Sequence, residues 1–147
     1  MFASSYTPGS KSRAPRGDLY QQVGVETRIS GATPHQLVAM LFDGFVEAVA
    51  QARGAMRSGK TDVKGAALCR AVRIIEEGLR AGLDLQGGGG LASDLNDLYN
   101  YLTRRLTLAN IRNDEAMLDE CVRLVQPLRE AWLAIDPDAT QRPTLAR

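Results

Sequence analysis

His35 is the one histidine in a chain of 147 residues, and it stands beside Pro34 at what reads as the first turn of a helix. A di-metal site in a helical bundle needs inward glutamates and Glu-x-x-His pairs on facing helices, which one histidine cannot supply. A phosphotransfer bundle presents its histidine in mid-helix, so the position is wrong for that chemistry too. His35 is expected to be a solvated first-turn residue. Cys69 and Cys121, the two cysteines, each fall inside a helical pattern and form no CxxC pair; reduced, buried thiols are expected rather than a disulfide. Gly87 to Gly90 lacks both the preceding strand and the Gly-Lys-Ser/Thr ending of a phosphate-binding loop, so it reads as a linker. Arg104 and Arg105, with Tyr99 and Tyr101 nearby, sit among Asp94, Asp97 and Glu120. Such a mixture gives little counterion release, and a solvated helix face with intrahelical pairing is expected instead of a nucleic-acid site. Neither catalysis, a metal nor a cofactor is expected.

The elements that carry these residues are helical. Leu91, Leu95, Leu98, Leu102, Leu106 and Ala109 recur at three- and four-residue intervals, which stacks them into one apolar stripe. Leu118, Cys121, Val125, Leu128 and Trp132 follow at the same spacing after a short polar connection, where Asn113 or Asp114 can cap the new helix. The two patterns make an αα-hairpin. Pro127 interrupts the second pattern and predicts a kink there. Upstream, Thr33-Pro34-His35-Gln36 has the makings of a capping box. A helix is predicted from Pro34 to Met56 or Arg57, with Leu37, Val38, Leu41, Phe45, Ala48, Val49 and Ala52 toward the core, stopped at Ser58-Gly59-Lys60. A second helix is predicted from Asp62 to Gln86, ended by the four glycines. The fold class is all-α: an antiparallel four-helix bundle over 34–135 with a short N-terminal helix or strap over 18–33. The Ser-, Pro- and Gly-rich leader 1–17 and the tail 136–147 lack periodicity and are expected to be disordered.

Composition narrows the function. With 44% hydrophobic residues the chain can build one real core, and 18 basic against 17 acidic residues leave a net charge of +1, too weak a field for generic polyanion binding. The N-terminus has no apolar run resembling a signal peptide, and no stretch approaches the ~20 apolar residues of a membrane span. A cytoplasmic protein with no membrane insertion is expected. On the second helix, Leu68, Val72, Ile75, Leu79 and Leu83 form a stripe that a bundle core would consume. Ala67, Ala71, Ile74, Gly78, Ala81 and Leu85 form another row about 100° around the same helix. Tyr101 and Leu108 sit similarly off the leucine stripe of the third. From the pattern alone these rows either broaden the core or leave an apolar docking surface for a partner segment.

Several blocks together carry a resemblance. Leu95-Asn96-Asp97-Leu98-Tyr99-Asn100-Tyr101-Leu102-Thr103-Arg104-Arg105-Leu106, Ala109-Asn110, Asn113-Asp114 and Leu128-Arg129-Glu130-Ala131-Trp132, with Thr33-Pro34, Met40-Leu41-Phe42-Asp43-Gly44 and Tyr20 upstream, resemble the flagellar secretion chaperone family FliS in the right order from Leu19 to Ile135. The leader before Leu19, Phe42 where tyrosine is common, the four glycines and Pro127 depart from its pattern. The resemblance implies a cytosolic chaperone that holds the disordered C-terminal segment of flagellin, prevents premature polymerisation and presents the subunit to the flagellar type III export apparatus, with an export-gate component or regulatory proteins as further partners. It also implies that the strap lies near the cargo, which adds Tyr20 and Val23 to the expected docking residues and tips the two rows toward docking. A helical regulator that sequesters a transcription or secretion factor is the alternative; flagellin as the dominant partner in a pull-down separates the two.

Overall fold

A computed structural model describes residues 31–84 and 87–135; the leader, the strap to residue 30, Leu85, Gln86 and the tail lie outside the described residues. Helix α1 spans Pro34–Ser58. Its N-terminus forms the expected capping box: the Gln36 amide donates to Thr33 Oγ1 at 3.1 Å, and the Thr33 amide donates to Gln36 Oε1 at 2.9 Å. Gly59 ends it in the left-handed region at φ 70°, where a side chain would be strained. Helix α2 spans Thr61–Arg73 and continues as a π-helical segment, Ile74–Leu79. Helix α3 runs Gly89–Arg112 and α4 Glu115–Ala134.

The expected boundaries change at two places. Helix α2 is shorter than Asp62 to Gln86, because the π-segment widens the ladder; the Arg80 amide donates to the Ile75 carbonyl at 2.8 Å, and turns follow. Of the four glycines expected to form only a linker, Gly89 and Gly90 are already in α3 and Gly88 caps it. At Gly87, φ is 136° and a Cβ would stand 2.6 Å from Leu91 Cδ2, so this turn admits no larger residue without displacing Leu91. Helix α4 continues past Pro127 to Ala134, as its pattern predicts, and the exposed proline ring is turned away from the core. Asp114 caps it, accepting from the amides of Ala116 at 2.9 Å and Met117 at 3.4 Å. Asn113, at φ 55°, closes α3 just before.

Each helix packs beside two others in the ring α1, α2, α3, α4. Cross-links fix the direction of each pair. The start of α1 meets the end of α4 through His35 and Trp132, while its far end meets the start of α4 through Arg53, Arg57 and Glu115. Lys64 Nζ donates to the Asn110 carbonyl and to Asn113 Oδ1 at the end of α3, and Arg80 bonds to Asn96 at its start. Adjacent helices are therefore antiparallel, and the all-α four-helix bundle is the observed fold. Its centre holds Leu41, Phe45, Val49, Ile74, Ile75, Leu79, Tyr99, Leu102, Leu106, Leu118 and Val125, all but sealed from solvent. Burying such side chains contributes about 1.5–3 kcal/mol each, which makes this layer the main support of the fold.

Candidate docking surfaces

The second row of α2 is not left over. Ala67, Ala71, Ile74 and Gly78 are buried, alongside Leu68, Ile75 and Leu79 of the first stripe. This overturns the expectation of an open trough, and the reason lies in the packing of α2. The helix is wedged between α1 and α3, and its π-segment places the neighbours Ile74 and Ile75, then Gly78 and Leu79, on one broad buried face. The alanines and Gly78 let neighbouring helices approach closely. Among the described residues of that row only Ala81 is exposed; Leu85, Tyr20 and Val23 lie outside the described residues. Tyr101 and Leu108 are half-buried on α3, and Leu108 packs against the margin of the core.

Tyr101 belongs to a polar cluster between α3 and α4. Its hydroxyl donates to Glu120, and Arg105 Nε donates to the same carboxylate at 2.8 Å. The Arg105 guanidinium also lies 5.8 Å from the centre of the Tyr101 ring, within cation–π range. The Tyr101 hydrogen bond, then Arg105, holds the Glu120 carboxyl below its ordinary value, and the same bond raises the Tyr101 phenol. The expected intrahelical pairing of Arg105 is thus an interhelical bridge. Tyr99, two residues earlier on α3, is fully buried, and burial raises its phenol far above the usual range.

Two further expectations are corrected. His35 is half-buried rather than solvated: its ring stacks on Trp132 at a centroid distance of 4.7 Å, its Nε2 bonds to the Trp132 carbonyl at 2.8 Å, and Trp132 Nε1 donates to the His35 carbonyl at 2.9 Å. No spacing rule links positions 97 residues apart; the indole N–H of an apolar-stripe tryptophan, which needs an acceptor, was the one available signal. Cys69 is exposed, whereas Cys121 is buried and its thiol is pushed up to about 12 by desolvation. Both are free.

A separate groove runs between α1 and α4, of about 580 Å³, lined by Val46, Val49, Ala50 and Gly54 with Val122, and rimmed by Arg53, Arg57, Asp119 and Arg123. Arg53 bridges Glu115 at 3.1 Å and Asp119 at 2.8 Å, and Arg57 reaches Glu115 at 2.9 Å. The Arg53 hydrogen bond, aided by Arg57, lowers the Glu115 carboxyl. Among the described residues no group of three or more His, Cys, Asp or Glu side chains could hold a metal, and no described helix is long and apolar enough to cross a membrane.

The described residues thus form an all-α bundle with an apolar groove between two helices and charged bridges between its elements. Residues 16–139 match the family described as Flagellar protein FliS. The chain is 46% identical over 121 residues to the flagellar secretion chaperone FliS of Salmonella typhimurium, covering 82% of this chain and 90% of that one. It is 38% identical over 125 residues to the FliS of Vibrio cholerae, covering 84% and 91%, and 43% identical over 113 residues to the flagellar secretion chaperone FliSB of Pseudomonas aeruginosa, covering 77% and 89%. The chain belongs to the FliS family, which is a family of chaperones and not of enzymes.

Proposed function

We propose that this chain is a cytosolic export chaperone that binds the C-terminal segment of flagellin, keeps it from polymerising early and assists its delivery to the flagellar export apparatus. The observation that carries this reading is likeness to flagellar secretion chaperones along most of both chains, on a bundle able to act by presenting apolar surface. A disordered guest segment that folds on binding buries large apolar areas on such a scaffold.

With Ala67, Ala71, Ile74 and Gly78 in the core, the cargo surface is drawn from what remains of the expected set: Tyr101 and Leu108 on α3, Ala81 and Leu85 beyond the π-segment, and Tyr20 and Val23 of the strap. A binding isotherm with a flagellin C-terminal peptide tests it. Leu108→Glu should weaken binding about tenfold or more by placing a charge in an apolar contact, with the helical circular-dichroism signal kept. Deleting residues 1–24 should alter affinity without changing helicity, whereas removing only the leader 1–17 should change neither. Parent-like affinity of the Leu108 variant would remove α3 from the cargo path, and failure of the parent chain to bind the peptide would overturn the reading.

A further inference from the structure

We infer that the groove between α1 and α4 is a second docking site, separate from the cargo surface, and that it takes an amphipathic helix of a partner protein with acidic residues along its flank. Val46, Ala50 and Gly54 are four apart on α1 and so follow one line along that helix, with Val122 opposite on α4. Ala50 and Gly54 are exposed, and a Cβ at Gly54 would meet nothing within 4 Å. The floor is therefore low, and a guest helix can come close. From Val46 to Arg57 the groove extends about 16 Å, three turns of a guest helix.

Charge selects the guest. Three guanidinium groups, Arg53, Arg57 and Arg123, stand on the rim, against two carboxylates there, Asp119 of the rim and Glu115 beside it. Both carboxylates are engaged by Arg53, and Glu115 is shared with Arg57, whose side chain is still 62% exposed. The nearby Glu120 is hydrogen-bonded to Tyr101 and Arg105 and also feels the charge of Arg123, so four guanidinium groups share three carboxylates. The rim is thus one carboxylate short, and an acidic residue of a guest completes it, while the same rim repels a basic flank. Only α1 and α4 residues line the groove, so it is distinct from Tyr101 and Leu108 on α3.

The full chain can be tested with two synthetic helix-stabilised peptides of about twelve residues, sharing leucines at three- and four-residue spacing and differing only in glutamate or lysine flanks. The glutamate peptide should bind and shift the amide resonances of Ala50, Gly54 and Val122, and the lysine peptide should bind about tenfold more weakly. Arg123→Glu should reverse that order, with the parent's helical signal kept. Gly54→Glu should abolish binding of the glutamate peptide and leave flagellin-tail affinity unchanged. Equal binding of the two peptides, shifts confined to other helices, or loss of flagellin-tail affinity in the Gly54 variant would each overturn the proposal.

Discussion

His35 and Trp132 exchange hydrogen bonds with each other's carbonyls and stack their rings, so one pair of side chains ties the first turn of α1 to the last turn of α4. Two hydrogen bonds and an aromatic pair, each worth about 0.5–1.5 kcal/mol, are at stake. Replacing the ring removes the stack and the Nε2 bond but leaves the backbone acceptor for the indole. His35→Ala should therefore cost about 1–3 kcal/mol in a denaturant melt and change the fluorescence of Trp132, the one tryptophan of the chain. A parent-like emission spectrum would contradict the stack. The thiols make a second residue-scale prediction. Cys69 is exposed and Cys121 sealed, with its thiol raised to about 12, so a thiol reagent at neutral pH should modify Cys69 at once and Cys121 only after unfolding. Simultaneous modification of both in the folded protein would contradict the burial.

At the scale of elements, α2 explains what was legible in the sequence and what was not. The helix starts and stops were readable because they are local: Thr33 with Gln36, Gly59, and Asp114 each act on backbone groups a few residues away. The leucine stripe of α3 was readable for the same reason, apart from Leu91, which is 52% exposed in the first turn. The fate of the second α2 row was not local. Whether Ala71 faces a neighbour or solvent depends on how α1 and α3 close around the helix, and the π-segment then shifts the phase on which the two-row reading rested. Ala71 is now a core residue with no exposed surface and Ala81 an exposed one, which yields opposite expectations. Ala71→Glu should bury an unpaired carboxylate and unfold or aggregate the protein, whereas Ala81→Glu should shift stability by no more than about 0.5 kcal/mol. A thermal melt of each variant checks this; a folded, cooperative Ala71 variant would return the row to the surface.

For the whole molecule, the apolar core supplies the bulk of the stability while charged bridges hold neighbouring helices in register. Arg53 with Glu115 and Asp119, Arg57 with Glu115, and Arg129 with Asp43 join α1 to α4, and Arg105 with Glu120 joins α3 to α4. Every one of them involves α4, so acid should loosen that helix first. Glu115, chiefly through Arg53, and Glu120, chiefly through Tyr101, have carboxyls held below their ordinary value of 4.5. A carboxyl depressed in the folded state binds protons less readily there than in the unfolded chain. Its contribution is therefore complete above the ordinary carboxylate value and is lost as pH falls through the folded-state value. Melting temperature should stay nearly level from about pH 7 to about pH 5.5 and then fall as the pH drops below about 4.5. Glu120→Gln keeps an acceptor for Tyr101 but removes the titrating group, so its melting temperature should be lower at neutral pH and decline less steeply in acid. Because exposed pairs are also screened by salt, raising the ionic strength at neutral pH should narrow the gap between parent and variant. A parent protein whose melting temperature does not change down to about pH 3 would show that the bridges hold register without contributing to stability, leaving the core alone to support α4.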